Sequence, residues 1–149
     1  MKIPFISAKK ILFNDFAIAT QIPYDEGEDI ACHTIATGQT AGWTWDIGLS
    51  SRKGMGYVYS SDHTSHEDAI KTFAQHIGPK AEGLDFRNIP FTSGYREKFW
   101  HKNCVAIGVS AGFVEPLEAT ALVLIEKSGV LSNIPGVEFK FELSGLPVN

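Results

Sequence analysis

The segment from Asn103 to Lys127 constrains this chain more than any other, because its elements follow in an order with a geometric consequence. Cys104–Ile107 is a short continuous apolar run, which predicts a buried strand, and small residues follow from Gly108 to Gly112. Helical sequence then runs from Ala119 to Lys127, and its apolar residues leave almost no polar face, which predicts a buried helix. Strand, small-residue turn and helix start in this order direct backbone N–H groups and a positive dipole end toward a bound anion.

The residue at which this helix begins decides whether such an anion is held. If Pro116 is the first helical residue, the N–H groups of Thr120 and Ala121 already bond to carbonyls four residues back. If the helix begins between Glu118 and Thr120, both N–H groups are among the first-turn donors and are available to an anion. Proline suits a first helical turn and a loop equally, so the sequence leaves both starts open.

Strand-forming runs with short polar connections fill most of the preceding sequence, which favours an antiparallel meander. Gly38-Gln39 and Ser51–Gly54 are two of the predicted connections. The predicted strands are a strand pair or one bent strand at Lys10–Tyr24, single strands at Ala31–Thr37, Gly42–Leu49 and Met55–Ser60, and two more at Leu84–Phe91 and Ser93–Trp100.

One amphipathic helix is predicted among these strands. Thr64 with Glu67, or Ser65 with Asp68, provides a capping pattern, and Gly78-Pro79 ends the helix. Its apolar face consists of Ile70, Phe73, Ala74 and Ile77. The predicted fold class is therefore α+β, an antiparallel meander with two helices.

Composition and charge exclude several classes of protein. The 149 residues are 44% hydrophobic and 20% charged with a formal net charge of −4, which is typical of one ordinary globular domain. Clustered Lys and Arg of the kind that bind nucleic acid are absent from the sequence, as is an apolar run of membrane-spanning length, and Met1–Ser7 is too short for a signal peptide. Cys32 and Cys104 lie far apart in apolar contexts, which predicts buried, reduced thiols in a cytoplasmic protein.

Several motifs resemble segments of the flavin-dependent tryptophan halogenases, in that family's order. NCVAIGVSAGFVEPLEAT, from Asn103 to Thr120, resembles the family signature, and Trp43-Thr44-Trp45-Asp46-Ile47 resembles its WxWxI motif. Supporting segments are Leu12–Asp15, Gly56–Ser61 and Arg96–Lys102. The resemblance runs from about Lys10 to Lys127 and corresponds to an internal portion of a full halogenase.

The resemblance implies a fold, a reaction and a set of partners. The fold is part of a FAD-dependent monooxygenase-like (halogenase) fold, with residues 10–128 as a partial halogenase domain. Reduced FAD, oxygen and a halide ion together give hypohalous acid, which reaches a lysine beside an aromatic small-molecule substrate, tryptophan or another indole. A separate flavin reductase supplies the reduced FAD, and neither nucleic acid nor a membrane is a partner.

Two parts of such an enzyme are not found in this sequence. A dinucleotide-binding GxGxxG turn after a strand is absent, since Gly54-Met55-Gly56 lacks the third glycine, and the reactive lysine belongs to the same missing first part. We therefore expect a truncated halogenase that begins after the cofactor-binding part and is inactive as an isolated chain. After Lys127 the resemblance ends: Gly129, Pro135 and Gly136 predict no helix, so residues 129–149 are expected to form a divergent tail, with a strand at Val137–Leu143.

The resemblance also assigns roles to individual residues. By resemblance, Glu118 matches the family's active-site glutamate, and a carboxylate suits that role, since electrophilic substitution on an aromatic ring needs a base to take the ring proton. Thr120 and Ala121 match the positions whose N–H groups hold the halide, and Val109 and Leu122 match flavin-contacting positions. Glu118 and the two apolar residues also have plainer interpretations. An acidic residue near a helix N-terminus is favourable by itself, and apolar residues beside a turn are ordinary core. Glu115 is interpreted as a structural hydrogen-bonding group.

Other candidate sites are weaker. Trp43 and Trp45 alternate and share one face of a strand, either as the flavin-side motif that the resemblance implies or as two core tryptophans. His63 and His66 lack a third metal ligand at matching spacing, and Ser110 lacks a GxSxG context, so a metal site and a serine hydrolase are not favoured. Two rivals to the halogenase portion stay open: a folded, non-catalytic fragment or binding module, and a flavin-dependent aromatic monooxygenase.

Overall fold

The computed structural model describes residues 3–115 and 117–131, with Glu118 and residues 129–131 described by their backbone alone. The chain divides into two compact units. The central unit is Phe13–Phe91, and the terminal unit combines residues 1–12 with residues 92–149. No helix among the described residues is long and apolar enough to cross a membrane.

Ten strands and two α-helices follow one another in the described part of the chain, and most of them are short. In order they are β1 (Phe5–Ser7), β2 (Phe16–Pro23), β3 (Ile35–Gln39), β4 (Gly42–Gly48), β5 (Arg52–Tyr59), α1 (His66–Ile77), β6 (Arg87–Pro90), β7 (Gly94–Arg96), β8 (Trp100–His101), β9 (Cys104–Val105), β10 (Gly112–Phe113) and α2 (Thr120–Leu131). Three 3₁₀ turns accompany them, at Gly78–Ala81, Gly108–Ser110 and Leu117–Ala119.

The central unit is built on a five-stranded sheet in the order β3-β4-β5-β2-β6. Every neighbouring pair is antiparallel, and β3, β4 and β5 follow one another as a meander. The chain enters this sheet through β2, which pairs with β5 on one side and with β6 on the other. The predicted α+β class, with an antiparallel meander and two helices, is confirmed.

Helix α1 covers one face of this sheet. The Ser65 hydroxyl accepts a hydrogen bond from the Asp68 N–H at 3.1 Å, so one of the two predicted caps is formed, and Gly78 ends the helix as predicted. Phe73 is fully buried and packs against Tyr57 of β5 with ring centroids 6.5 Å apart. The core cluster consists of Ile18, Ile22, Met55, Tyr57, Tyr59, Ala69 and Phe73.

Asp15 joins the ends of three strands of the central sheet. Its carboxylate accepts hydrogen bonds from the Ser61 N–H at 2.8 Å and the Ser61 hydroxyl at 2.7 Å. Its N–H donates to the Tyr59 carbonyl at 3.2 Å, and its carbonyl accepts from the Phe91 N–H at 2.9 Å. The segment Leu12–Asp15 therefore ends in a residue that fixes the start of β2 to the ends of β5 and β6.

Several predicted strand boundaries are wrong. Lys10–Tyr24 contains one strand that starts only at Phe16, and β3 starts at Ile35 rather than at residue 31. The β3–β4 connection lies at residues 40–41, after Gly38-Gln39, and β5 begins at Arg52, inside the predicted loop Ser51–Gly54. Pairing with β4 and β2 carries the polar residues Arg52 and Lys53 into the strand, because register rather than side-chain type decides where a ladder ends.

The terminal unit also differs from expectation. It holds the antiparallel sheet β1-β7-β10 and the separate hairpin β8-β9. Helix α2 continues through Gly129 to Leu131, so the prediction of no helix beyond Lys127 is wrong, since a single glycine costs an established helix only about 1 kcal/mol. The expected strand Val137–Leu143 lies outside the described residues.

Both cysteines are free, as expected, and exposed, which is not what was expected. Cys32 lies in the irregular connection before β3, and Cys104 lies in the separate hairpin β8-β9. The apolar residues next to each cysteine in the sequence were therefore not a guide to the burial of its thiol.

A charge network holds the loop between β2 and β3 against the rest of the central unit. Glu28 forms ion pairs with Lys53 of β5 and, at 3.0 Å, with Lys80, which also pairs with Asp25 at 2.8 Å. Hydrogen bonds from Lys53, from the Asp25 N–H and from Lys80 lower the pKa of Glu28 from 4.5 to about 2. The same contact with Glu28 raises the pKa of Lys53.

We expect this network to make the central unit acid-sensitive. Because the pKa of Glu28 is lower when folded, its stabilising effect is present above about pH 4.5 and is lost as the pH falls toward 2. Urea unfolding of the Glu28→Gln variant should therefore lose part of the pH dependence that the unsubstituted chain shows between these values. The exposed Glu26→Gln, in the same loop, is the matched control. Equal pH profiles for Glu28→Gln and the unsubstituted chain would contradict this assignment.

Candidate active site

The segment that leads to α2 begins in a short hairpin. In β8-β9, Trp100 pairs with Val105 and His101 with Cys104, and the turn holds Lys102 at a φ of 55°. The Trp100 indole N–H donates to the Lys102 carbonyl at 2.7 Å and closes the turn. The buried strand predicted at Cys104–Ile107 is wrong, because β9 has two residues, pairs only with β8 among the described strands, and leaves Cys104 exposed.

The small-residue turn Gly108–Ser110 is held by Ser110. The Ser110 hydroxyl donates to the Ile107 carbonyl at 2.7 Å and lies 3.0 Å from the Ile107 N–H, which donates to it. The Ala111 N–H bonds to the Gly108 carbonyl at 2.9 Å. Ser110 is thus committed to the turn's own backbone, which agrees with the sequence argument against a nucleophilic serine.

Arg96 of β7 fixes this turn to the terminal unit's sheet, and sequence reasoning did not single it out. Its N–H donates to the Ala111 carbonyl at 2.7 Å, and its Nε donates to the Ser110 carbonyl at 3.3 Å. Its Nη1 donates to the Ile3 carbonyl at 3.0 Å, and its guanidinium lies 6.0 Å from the centre of the Phe5 ring. The only sequence signal was its place at the head of a halogenase-like segment.

Helix α2 begins at Thr120, the later of the two starts that the sequence allowed. A 3₁₀ turn, Leu117–Ala119, precedes it, and Ala119 adopts a φ of 53°, the left-handed region that non-glycine residues seldom occupy. The Thr120 hydroxyl donates to the Leu117 carbonyl at 2.5 Å. Thr120 and Ala121 therefore lie in the first turn of α2, whose N–H groups are not used by the α-helical ladder, while the preceding 3₁₀ turn directs the Thr120 N–H toward the Leu117 carbonyl. Pro116 lies outside the described residues.

The carboxylates of the signature occupy different positions around this start. Glu118 is the middle residue of the 3₁₀ turn and directly precedes Ala119, while its side chain lies outside what the structure describes. Glu115 is half-buried and lies before the turn. The backbone thus brings Glu118 and the N–H groups of Thr120 and Ala121 within four consecutive residues at one helix N-terminus.

The apolar residues near this turn are exposed. Val109 is 63% exposed and Leu122 is 66% exposed, so the interpretation of either as ordinary core is wrong for this chain. The prediction that α2 is buried is wrong as well, since Val123, Leu124 and Ile125 are between 41% and 49% exposed. Four consecutive apolar residues point to all sides of a helix, and one neighbouring surface cannot cover them all.

Gly108 provides the close contact that α2 does make. A Cβ built on Gly108 would lie 2.8 Å from Cγ1 of Ile125, and the φ of Gly108 is +61°. Only glycine can adopt this positive φ and also leave space for the Ile125 side chain without strain. The small-residue turn, which includes Val109, and α2 therefore pack directly against each other.

The tryptophan motif lies in the central unit, on β4. Trp43 and Trp45 share one face of the strand, as predicted, with ring centroids 6.0 Å apart and planes inclined at 54°. Both are half-buried and lie outside the core cluster, so they are not the two core tryptophans of the plainer interpretation.

The two histidines near the start of α1 have local partners. His66 Nδ1 lies 2.7 Å from the Tyr59 hydroxyl oxygen, and His63 Nδ1 lies 2.9 Å from the Ser60 hydroxyl oxygen. Among residues 3–115 and 117–131, the structure brings together no group of three His, Cys, Asp or Glu residues suited to a metal ion.

The family model for tryptophan halogenase matches residues 1–135, a wider interval than the predicted 10–128. The chain is 45% identical over 124 residues to the tryptophan 6-halogenase of Streptomyces toxytricini, which covers 83% of this chain and 24% of that protein. It is 44% identical, over the same shares of each chain, to a 7-chloro-L-tryptophan 6-halogenase of Kutzneria sp..

Solved structures agree with these sequence matches. A tryptophan halogenase from Shewanella frigidimarina superposes with a TM-score of 0.79 at 52% identity, over 85% of this chain and 25% of that one. The chain thus spans about a quarter of the length of the proteins it matches. With a family match over residues 1–135 and a fold shared at this identity, the chain belongs to the tryptophan halogenase family.

Proposed function

We propose that this chain supplies the halide-side turn, the catalytic carboxylate and the tryptophan motif of a flavin-dependent halogenase that acts on tryptophan or another indole. The observation that carries the proposal is the start of α2 at Thr120, after a left-handed Ala119. A helix that began at residue 116 would have removed the halide site. A helix that begins at Thr120 is compatible with it.

The halide would be held by the N–H groups of Thr120 and Ala121. Two first-turn amides and the positive end of the α2 dipole favour a small anion at this point. The Thr120 hydroxyl already donates to the Leu117 carbonyl, so the backbone N–H groups rather than the hydroxyl are the donors that suit a halide. Ala121 keeps the N–H that this role requires.

Glu118 would act as the base toward the aromatic substrate. When reduced FAD is bound, it would react with oxygen and so supply the oxidant for the halide. The ring that accepts the halogen must then lose a proton, and Glu118, which resembles the glutamate of the family signature, is the carboxylate of this chain that suits that step. Its position between the half-buried Glu115 and the halide-side amides supports this role.

The apolar groups exposed around the turn suit the flavin side of such a site. Val109 and Leu122 present uncovered apolar surface next to the first turn of α2, and a planar ring system is covered well by such surface. Trp43 and Trp45 form the flavin-side tryptophan pair that keeps substrate apart from the cofactor. This pair separates the proposal from a hydroxylating monooxygenase, because WxWxI together with EPLEAT is the halogenase combination.

Catalysis in this proposal needs polypeptide beyond the 149 residues. The sequence holds no GxGxxG turn for FAD, and the exposed apolar residues of α2 are of a kind that folded enzymes cover. None of Lys9, Lys10, Lys53, Lys71 or Lys98 is assigned the role of the reactive lysine. A separate flavin reductase would supply reduced FAD, and the two free cysteines suit the cytoplasm.

The isolated chain is expected neither to bind FAD tightly nor to halogenate tryptophan. Its sequence lacks the dinucleotide-binding turn, so the flavin would have only the exposed surface around Val109 and Leu122 to contact. Flavin fluorescence titration and a halide-dependent turnover assay test this expectation. Sub-micromolar binding together with halogenated product from these 149 residues would contradict it.

The role of Glu118 is best tested in a chimera in which residues 10–128 replace the matching segment of the Streptomyces toxytricini tryptophan 6-halogenase. Glu118→Gln should lower the rate of halogenation by roughly 10²-fold or more, the reach of a positioned acid–base group. Hydrogen peroxide release without halogenation should stay near normal, because oxygen reduction at the flavin does not use this carboxylate.

The matched control is Glu126→Gln, which removes the same charge from an exposed position on α2. It should leave both rates unchanged. Equal loss of halogenation and of peroxide release in Glu118→Gln would show that Glu118 supports the fold instead, and an inactive parent chimera would count against the proposed function as a whole.

A further inference from the structure

Two motifs that the sequence presents separately meet in one contact of the central sheet. Trp45 belongs to the tryptophan motif on β4, and Gly56 opens the segment Gly56–Ser61 on β5. The β4–β5 register places Trp45 directly opposite Gly56. Cross-strand partners on one face of an antiparallel pair are the residues whose side chains interact most strongly.

The face that carries this contact is the one that α1 does not cover. Thr44 points toward α1, because its hydroxyl oxygen lies 3.2 Å from Nε2 of His76 on that helix. Its neighbours in the strand, Trp43 and Trp45, therefore point to the opposite face. Across β5 and β2 the row continues from Trp45 through Gly56 to Ala19, so the next two positions across the sheet from the indole both carry small residues.

The Trp45 indole occupies the space in which Gly56 would carry a side chain. A Cβ built on Gly56 would overlap three atoms of the ring, Cζ2, Cη2 and Cε2. The backbone does not demand glycine here, because the φ of Gly56 lies outside the left-handed region. The ring, not the turn of the chain, is what excludes a side chain at this position.

We propose that Gly56 is the positioning residue of Trp45: the absence of a side chain at Gly56 lets the indole lie across β5, and so fixes its angle to Trp43. The proposal rests on the proposed function only in that Trp45 belongs to the flavin-side pair. The contact itself is a property of the central unit alone.

Gly54 provides a matched comparison on the same strand and the same face. It lies two residues before Gly56, opposite Ile47, and a Cβ built on it meets nothing within 4 Å. Gly54→Ala should leave the angle between the two tryptophans unchanged. Its Tm should be equal to or higher than that of the unsubstituted chain, since glycine inside a strand is less favourable than alanine. Gly56→Ala adds the same methyl group where the ring lies.

The test compares these variants of the 149-residue chain by circular dichroism and thermal unfolding. Two indoles 6.0 Å apart at 54° give a coupled exciton signal in the far ultraviolet, which reports their mutual angle. Gly56→Ala should change or abolish this signal and lower Tm by roughly 3 °C or more. Gly54→Ala should keep the signal of the unsubstituted chain.

A double variant separates positioning from a general need for glycine. Phenylalanine lacks the outer ring atoms that the methyl group would meet, so Gly56→Ala should lower Tm far less in a Trp45→Phe background than beside Trp45. This also holds if Gly56→Ala alone fails to fold, since Trp45→Phe should then restore folding. An unchanged exciton signal in Gly56→Ala, or an equal cost in both backgrounds, would overturn the proposal. Neither readout involves halogenation, so failure here is distinct from failure of the proposed function.

Discussion

The left-handed conformation of Ala119 determines where α2 begins, and the candidate active site depends on that position. If Ala119 continued the 3₁₀ turn into a regular helix, the N–H of Ala121 would bond to the carbonyl of Leu117. With a φ of 53° at Ala119, the helix instead starts at Thr120. An alanine in this region costs about 1–2 kcal/mol, and such strain is commonly kept where function requires it.

The surroundings of this helix start are held by contacts between short elements rather than by a large core. Arg96 bonds to the backbone of the Gly108–Ser110 turn and of the N-terminal segment, and Gly108 receives the side chain of Ile125. Both contacts belong to the terminal unit, while the tryptophan pair is supported by the sheet of the central unit. The helix start and the tryptophan pair are thus each fixed by contacts within their own unit.

The sequence predicted those features that local pattern controls. The capped helix at His66–Ile77, the antiparallel pairing and the shared face of Trp43 and Trp45 follow from periodicity and spacing. The motifs around Glu118 predicted the family, which the match over residues 1–135 confirms. Burial was predicted poorly, because an apolar residue such as Leu122 is buried only if another segment covers it, and no local pattern reports that.

The sequence also did not predict where strands end or which partners individual side chains contact. Lys53 lies in β5 because the strand pairing continues there, and Glu28 reaches it from the loop between β2 and β3. Arg96 and Gly56 have roles that depend on register between distant segments. Long-range contacts of this kind become visible only when the pairing is known.

Anomalous diffraction would test directly whether the first turn of α2 holds a halide, as proposed. Crystals of a halogenase that carries residues 10–128 in place of its own segment would be soaked in bromide, whose anomalous signal marks its position. We expect bromide within hydrogen-bonding distance of the N–H groups of Thr120 and Ala121. Bromide bound only elsewhere, with the Ala121 N–H bonded to the carbonyl of Leu117, would contradict it.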